Sequence, residues 1–71
     1  MTQTEFESLG FMTRVVLEAM AANDGDAKAA SKATGSSVRS VQSIMCRMRK
    51  RFGMSPGDLL DAVKNRTELA R

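Results

Sequence analysis

Arg39, Gln42, Ser43, Cys46, Arg47 and Lys50 recur at three- and four-residue steps, the spacing that lines side chains along one side of a helix. The Arg and Lys side chains are permanent cations, and Gln and Ser add hydrogen-bond donors and acceptors. Such a row suits a polyanion whose charge attracts the cations and whose edges pair with the amide and hydroxyls. The residues for other chemistries are missing. The sequence has no His, which removes imidazole acid/base catalysis and His-containing zinc sites. Cys46 is the single cysteine, so no intrachain disulfide can form, as expected for a reducing cytosol. Its cationic neighbours would favour a thiolate, but the simpler reading is a small outward residue. No Gly-rich phosphate loop of the required spacing occurs. Trp and Tyr are absent and aromatics are 4%, which argues against base-stacking platforms for RNA or single strands. The expectation is no enzyme activity, no cofactor, no metal and no small-molecule ligand.

The charge is unevenly placed. Up to Asp26, Arg14 stands alone against Glu5, Glu7, Glu18, Asp24 and Asp26, a net of −4. From Ala27 onward the balance is +7, and no acid occurs between Asp26 and Asp58. Within that gap lie Lys28, Lys32 and Arg39, followed by the cluster Arg47, Arg49, Lys50 and Arg51. A block so free of acids points to a polyanion partner rather than a salt-bridged surface. With 71 residues the chain is limited to one small domain, and it is too short for a doubly wound nucleotide-binding fold. No apolar run approaches the ~18 residues of a membrane span, and no signal peptide is recognisable.

The elements that must hold this row follow from apolar spacing. Phe6, Leu9, Thr13, Val16, Leu17 and Met20 form a helical stripe, widened by Phe11, Met12 and Val15. A capping box of Thr4 and Glu7 predicts one helix from about Thr4 to Ala22, weakened locally at Gly10. Asn23-Asp24-Gly25-Asp26 ends it, and Asp26 caps a short Ala-rich helix over Ala27–Ala33. Gly35 suits a left-handed turn, and Ser36 or Ser37 caps a third helix over Val38–Phe52. Val38, Val41, Ile44, Met45, Met48 and Phe52 share its apolar face, and Gly53 stops it. Ser55-Pro56-Gly57-Asp58 opens a fourth helix with Leu59, Leu60, Ala62 and Val63 on its apolar side. Met12, Met20, Met45 and Met48 read as core fillers. Lys64, Arg66 and Arg71 read as solvated charges. The prediction is all-α: one compact four-helix bundle spanning residues 1–71.

The order of elements is that of a helix-turn-helix, and the spacing is a sharper test. The motif needs a small residue four before the turn Gly, and Ser31 stands there. It needs a core plug six after that Gly and another three further on, and Val41 and Ile44 stand there. Thr34 and Ser36 flank the Gly where aliphatics are usual.

The stretch Ser31 to Met54 resembles the LuxR/GerE-type DNA-binding domain. Ser40-Val41 stands at that family's "TV", and Phe52-Gly53-Met54 at its closing "LG" plus aliphatic. Leu9 to Met20 is similar to the family's first helix and Ser55 to Val63 to its last, so the likeness covers most of the chain. Region four of bacterial sigma factors is the near rival, with a similar Arg-rich end to its recognition helix. Either resemblance implies that the helix 38–52 enters the major groove of double-stranded DNA. By it, Ser40, Gln42, Ser43, Cys46 and Arg47 face the bases, with Gln42 suited to adenine and Arg47 to guanine. Lys28, Lys32, Ser37, Arg39, Lys50 and Arg51 would hold phosphates, Ser37 at the helix N-terminus.

The function expected is a small bacterial transcriptional regulator, complete or part of a longer chain, in the cytoplasm on the nucleoid. A plasmid or phage maintenance module would use the same reader. A protein-interaction module that binds RNA polymerase or another regulator through the acidic first helix is the alternative. A homodimer through Leu59, Leu60 and Val63 of the fourth helix is expected, since so small a core gives marginal stability.

Overall fold

Helical capping chemistry and apolar periodicity account for almost every element of the fold. The computed structural model describes residues 1–66. It contains five α-helices: α1 (Gln3–Glu7), α2 (Phe11–Ala22), α3 (Ala27–Thr34), α4 (Val38–Phe52) and α5 (Pro56–Lys64). The all-α expectation holds, but with five helices rather than four. The expected position of residue 71, and of Arg71 as a surface charge, lies outside the described residues.

The extra helix comes from a break at Ser8-Leu9-Gly10 inside the single helix expected from Thr4 to Ala22. The capping box also sits two residues earlier than expected. The Glu5 amide donates to Thr2 Oγ1 (3.1 Å) and the Thr2 amide donates to Glu5 Oε1 (2.8 Å). That amide bond to the carboxylate holds the Glu5 carboxyl below its ordinary range. The Ser8 hydroxyl closes α1 by donating to the Glu5 carbonyl (2.6 Å). Gly10 then takes an extended conformation (φ −62°, ψ 154°) as the first boundary of α2. Both Phe6 and Leu9 stay buried across the break. With Val16, Leu17, Met20 and Ala21 turned inward, the period of α2 leaves its first residues outward: Phe11 is 69% exposed and Met12 47%. Neither is the core residue that the apolar stripe implied, whereas Met20, Met45 and Met48 are.

The next turn is fixed by backbone chemistry. At the end of α2 the Gly25 amide reaches the Met20 carbonyl (2.8 Å) and the Asp24 amide the Ala21 carbonyl, a Schellman closure with Asp24 left-handed (φ 52°). Asp26 Oδ1 then accepts from the Lys28 and Ala29 amides, starting α3 as expected. Ser37 Oγ caps α4 through the Ser40 amide, Ser55 Oγ caps α5 through the Asp58 amide, and Pro56 occupies the first turn of α5. Gly53 is left-handed (φ 64°) and ends α4.

α2 packs against α3, α4 and α5, and α4 packs against α3 and α5, so the two amphipathic helices share the middle of the fold. Val16, Leu17, Val41, Leu59 and Val63 are the largest of its fully enclosed side chains. Leu60 is buried with them. The apolar face of α5 therefore closes the chain's own core and leaves Leu59, Leu60 and Val63 no surface for a dimer, contrary to expectation. A helix face wide enough to serve an interface is also wide enough to complete a small core, and here the core takes it.

Two basic side chains outside the cluster have structural work. Lys64 Nζ lies 3.5 Å from Asp24 Oδ1, with both groups exposed. Arg66 is half-buried rather than solvated. Its guanidinium lies 4.1 Å from the centre of the Phe6 ring, donates to Gln3 Oε1 (2.7 Å) and the Val63 carbonyl (2.9 Å), and stands 3.9 Å from Glu18. It fastens the end of α5 to α1 and α2. Arg66→Ala is expected to cost about 1–2 kcal/mol, from a partly desolvated cation–π contact and charge-assisted hydrogen bonds. Lys64→Ala should cost under about 0.5 kcal/mol, because its pair is solvent-exposed. Urea unfolding of both variants checks the order; equal costs would remove the clamp.

Candidate nucleic-acid interface

The candidate face is the outer side of α4, and its aim depends on how α3 holds α4. Ala30 is fully buried on α3, which packs against both α2 and α4. The turn between α3 and α4 carries three polar locks. The Ser31 hydroxyl donates to the Ser36 carbonyl. Thr34 Oγ1 donates to the Ala30 carbonyl (2.8 Å) and accepts from the Ser36 amide (3.2 Å). Gly35 is left-handed (φ 76°) and its amide returns to the Ser31 carbonyl (2.9 Å). The side chains that set the turn are thus those of Ser31 and Thr34, the latter standing where an aliphatic is usual, while Ser36 contributes its backbone amide and carbonyl. Val41 and Ile44 are buried beneath it, as the spacing required.

With Val41, Ile44, Met45 and Met48 committed to the core, the helix period fixes what points away. Ser40, Gln42, Ser43, Cys46 and Arg47 are all exposed, and Cys46 is a free thiol. Arg39, Ser43, Cys46 and Lys50 lie along the line farthest from the core. Arg39 and Lys50 mark its two ends, about 16 Å apart along the axis. A B-form major groove is about 12 Å wide, so a helix laid across it would carry these two ends to the flanking phosphates. Lys28 and Lys32 on α3 and Ser37 at the cap are also exposed. Ser37 Oγ is already engaged: it accepts from the Ser40 amide and donates to Ser40 Oγ (3.0 Å). A phosphate there would meet the first-turn amides rather than this hydroxyl.

None of the basic side chains of this block makes an ion pair among the described residues; the pairs present involve Lys64 and Arg66. Arg51 departs from the rest. It lies on the flank of α4, with its guanidinium 5.6 Å from the Phe52 ring and close enough to Glu5 to help lower that carboxyl's pKa. It stands at the edge of the face, toward the acidic N-terminal helix. Arg49 belongs to the face, although the sequence reading left it out. It is exposed and lines a shallow groove with Gln42, Cys46 and Met45 that runs to Gly25 and Pro56. Its seven-residue step from Gln42 was the available signal.

On the other flank a groove of about 300 Å³ runs between Met12, Ser36, Ser40, Ser43, Ile44 and Arg47. Among the described residues no group of His, Cys, Asp and Glu is arranged to hold a metal, and no helix is long and apolar enough to cross a membrane. No protein-family model, curated protein or solved structure matches the chain.

Gly35→Ala is expected to cost about 1–2 kcal/mol although a methyl there would meet nothing within 4 Å, since the penalty is the left-handed backbone. Ser31→Ala should cost about 1 kcal/mol through loss of the bond to the Ser36 carbonyl. Thermal unfolding checks both, and a neutral Gly35→Ala would mean that the turn relaxes.

Proposed function

We propose that the chain is a sequence-specific reader of double-stranded DNA that acts as a small transcriptional regulator, with α3 and α4 as a helix-turn-helix and α4 as the recognition helix. One observation carries this reading. Lys28, Lys32, Arg39, Arg47, Arg49 and Lys50 are exposed on two adjoining helices without a carboxylate partner among the described residues. Uncompensated cations repel one another, and a polyanion relieves that repulsion while releasing its own counterions. The rigid helix, its polar centre of Ser43, Cys46 and Gln42, and the resemblance of Ser31–Met54 to LuxR/GerE-type domains favour duplex DNA over a diffuse polyanion.

The division of labour follows from position. Arg47 and Gln42 flank the central line and have the two side chains suited to bidentate pairing with guanine and adenine edges. Arg39 and Lys50 stand at its ends and hold phosphates, which fix register without reading sequence. Arg49 adds a further cation on the Gln42 side. Regulation and plasmid or phage maintenance would use this same surface.

Fluorescence anisotropy on duplexes selected from a random pool tests the reading. Arg47→Ala should lose about 1–3 kcal/mol and relax preference at one base position. Lys50→Ala should weaken binding evenly across sequences and reduce the slope of log K against log salt by about 1. Absence of duplex binding at low salt would overturn the function. Binding that is indifferent to both substitutions would overturn the assignment of α4.

A further inference from the structure

α2 carries a second exposed surface, on the side opposite its buried face. Phe11, Val15, Glu18 and Ala22 recur at three- and four-residue steps there, with Arg14 beside them. Phe11, Arg14, Val15 and Glu18 line a groove of about 260 Å³. Phe11 is the most exposed large apolar side chain among the described residues. Arg14 is not satisfied within the described chain: its Nε is buried without an acceptor, and its guanidinium makes no ion pair. Glu18 has only the long 3.9 Å approach to Arg66.

We infer that this face of α2 binds a second copy of the chain, α2 against α2 and antiparallel about a two-fold axis. The stripe is complementary to itself. A register that sets Phe11 opposite the second copy's Ala22 gives the ring a small residue to pack on. The same register brings Arg14 and Val15 beside the second copy's Glu18, and the symmetry supplies each contact twice. The terminal nitrogens of the Arg14 guanidinium then gain a carboxylate, the enclosed Nε being out of a partner's reach, and Glu18 gains a second cation. An unrelated acidic partner would satisfy Arg14 but would leave Glu18 facing like charge. The self-pairing matches both signs.

The inference stands apart from DNA binding and is tested without DNA, by sedimentation of the full chain over a concentration series at low salt. The expected result is a monomer–dimer equilibrium. Phe11→Ser should raise its dissociation constant at least about tenfold, as loss of a buried aromatic anchor does, here at both ends of the interface. Circular dichroism should stay unchanged, because Phe11 lies outside the core. Arg14→Glu and Glu18→Arg should each weaken the dimer, and the two together should restore it, since the reversed pair is again complementary. A chain monomeric up to about 1 mM overturns the inference and leaves the face to another occupant, residues 67–71 of the same chain or an unrelated protein. A dimer indifferent to Phe11→Ser, or a charge reversal that fails to restore pairing, overturns it as well.

Discussion

The close approach of α3 to α4 is the constraint on which the remaining structure depends. It is helped by the small residues of α3, Ser31 at the turn and the fully buried Ala30 beside it. It is kept in one geometry by hydrogen bonds rather than by bulk. The Ser31 and Thr34 hydroxyls bond the Ser36 carbonyl and amide and so tie the end of α3 to the residue before the α4 cap. Aliphatic residues at 31 and 34 would leave those backbone groups without these partners. The polar version is directional, so it sets the entry of α4 as well as its distance. Once that entry is set, Val41 and Ile44 fall into the core, and the opposite side of α4 can only point out.

The parts of the fold that were legible in the sequence are those decided by local chemistry. Asp26, Ser37 and Ser55 cap helices because their side chains reach an amide two or three residues ahead. Gly35 and Gly53 end helices because they tolerate positive φ. The exposed set on α4 follows from period alone, with Val41, Ile44, Met45 and Met48 as its inner face. Arg49 escaped because it sits at the margin of that set, where period does not separate face from flank.

What stayed hidden was decided by distance or by near-equal alternatives. Thr2/Glu5 and Thr4/Glu7 have the same capping spacing, and only the packing of Phe6 and Leu9 across the break selects the first. Their three-residue step fits an unbroken helix equally well, so Gly10 was the single hint of interruption. Arg66 reads as a surface charge until Gln3, 63 residues away, is brought to it. The apolar face of α5 posed the same difficulty in reverse. Leu59, Leu60 and Val63 have the pattern of an interface and of a core alike, and the choice belongs to α2 and α4, which cover them.

That choice sharpens the meaning of what remains outside. A chain of 71 residues has a total stability of roughly 4–11 kcal/mol by ordinary proportion. Burying one Phe is worth about 1.5–3 kcal/mol, a sizeable part of that. The fold uses Leu59, Leu60 and Val63 to the full, yet leaves Phe11 mostly in water. The period of α2 makes this arrangement. With Val16, Leu17, Met20 and Ala21 turned to the core, Phe11 falls on the opposite side of the helix, beside Arg14 and Glu18. A solvated aromatic alone is ordinary on a protein surface. Its combination with a buried, unpartnered Arg14 Nε at the same groove is less so, because two independent costs, one apolar and one polar, are then borne at one place. A single docking event would cover the ring and bring a carboxylate to the same guanidinium, whereas repacking inside the monomer would have to sacrifice the core contacts of Val16 and Leu17 to turn α2 inward.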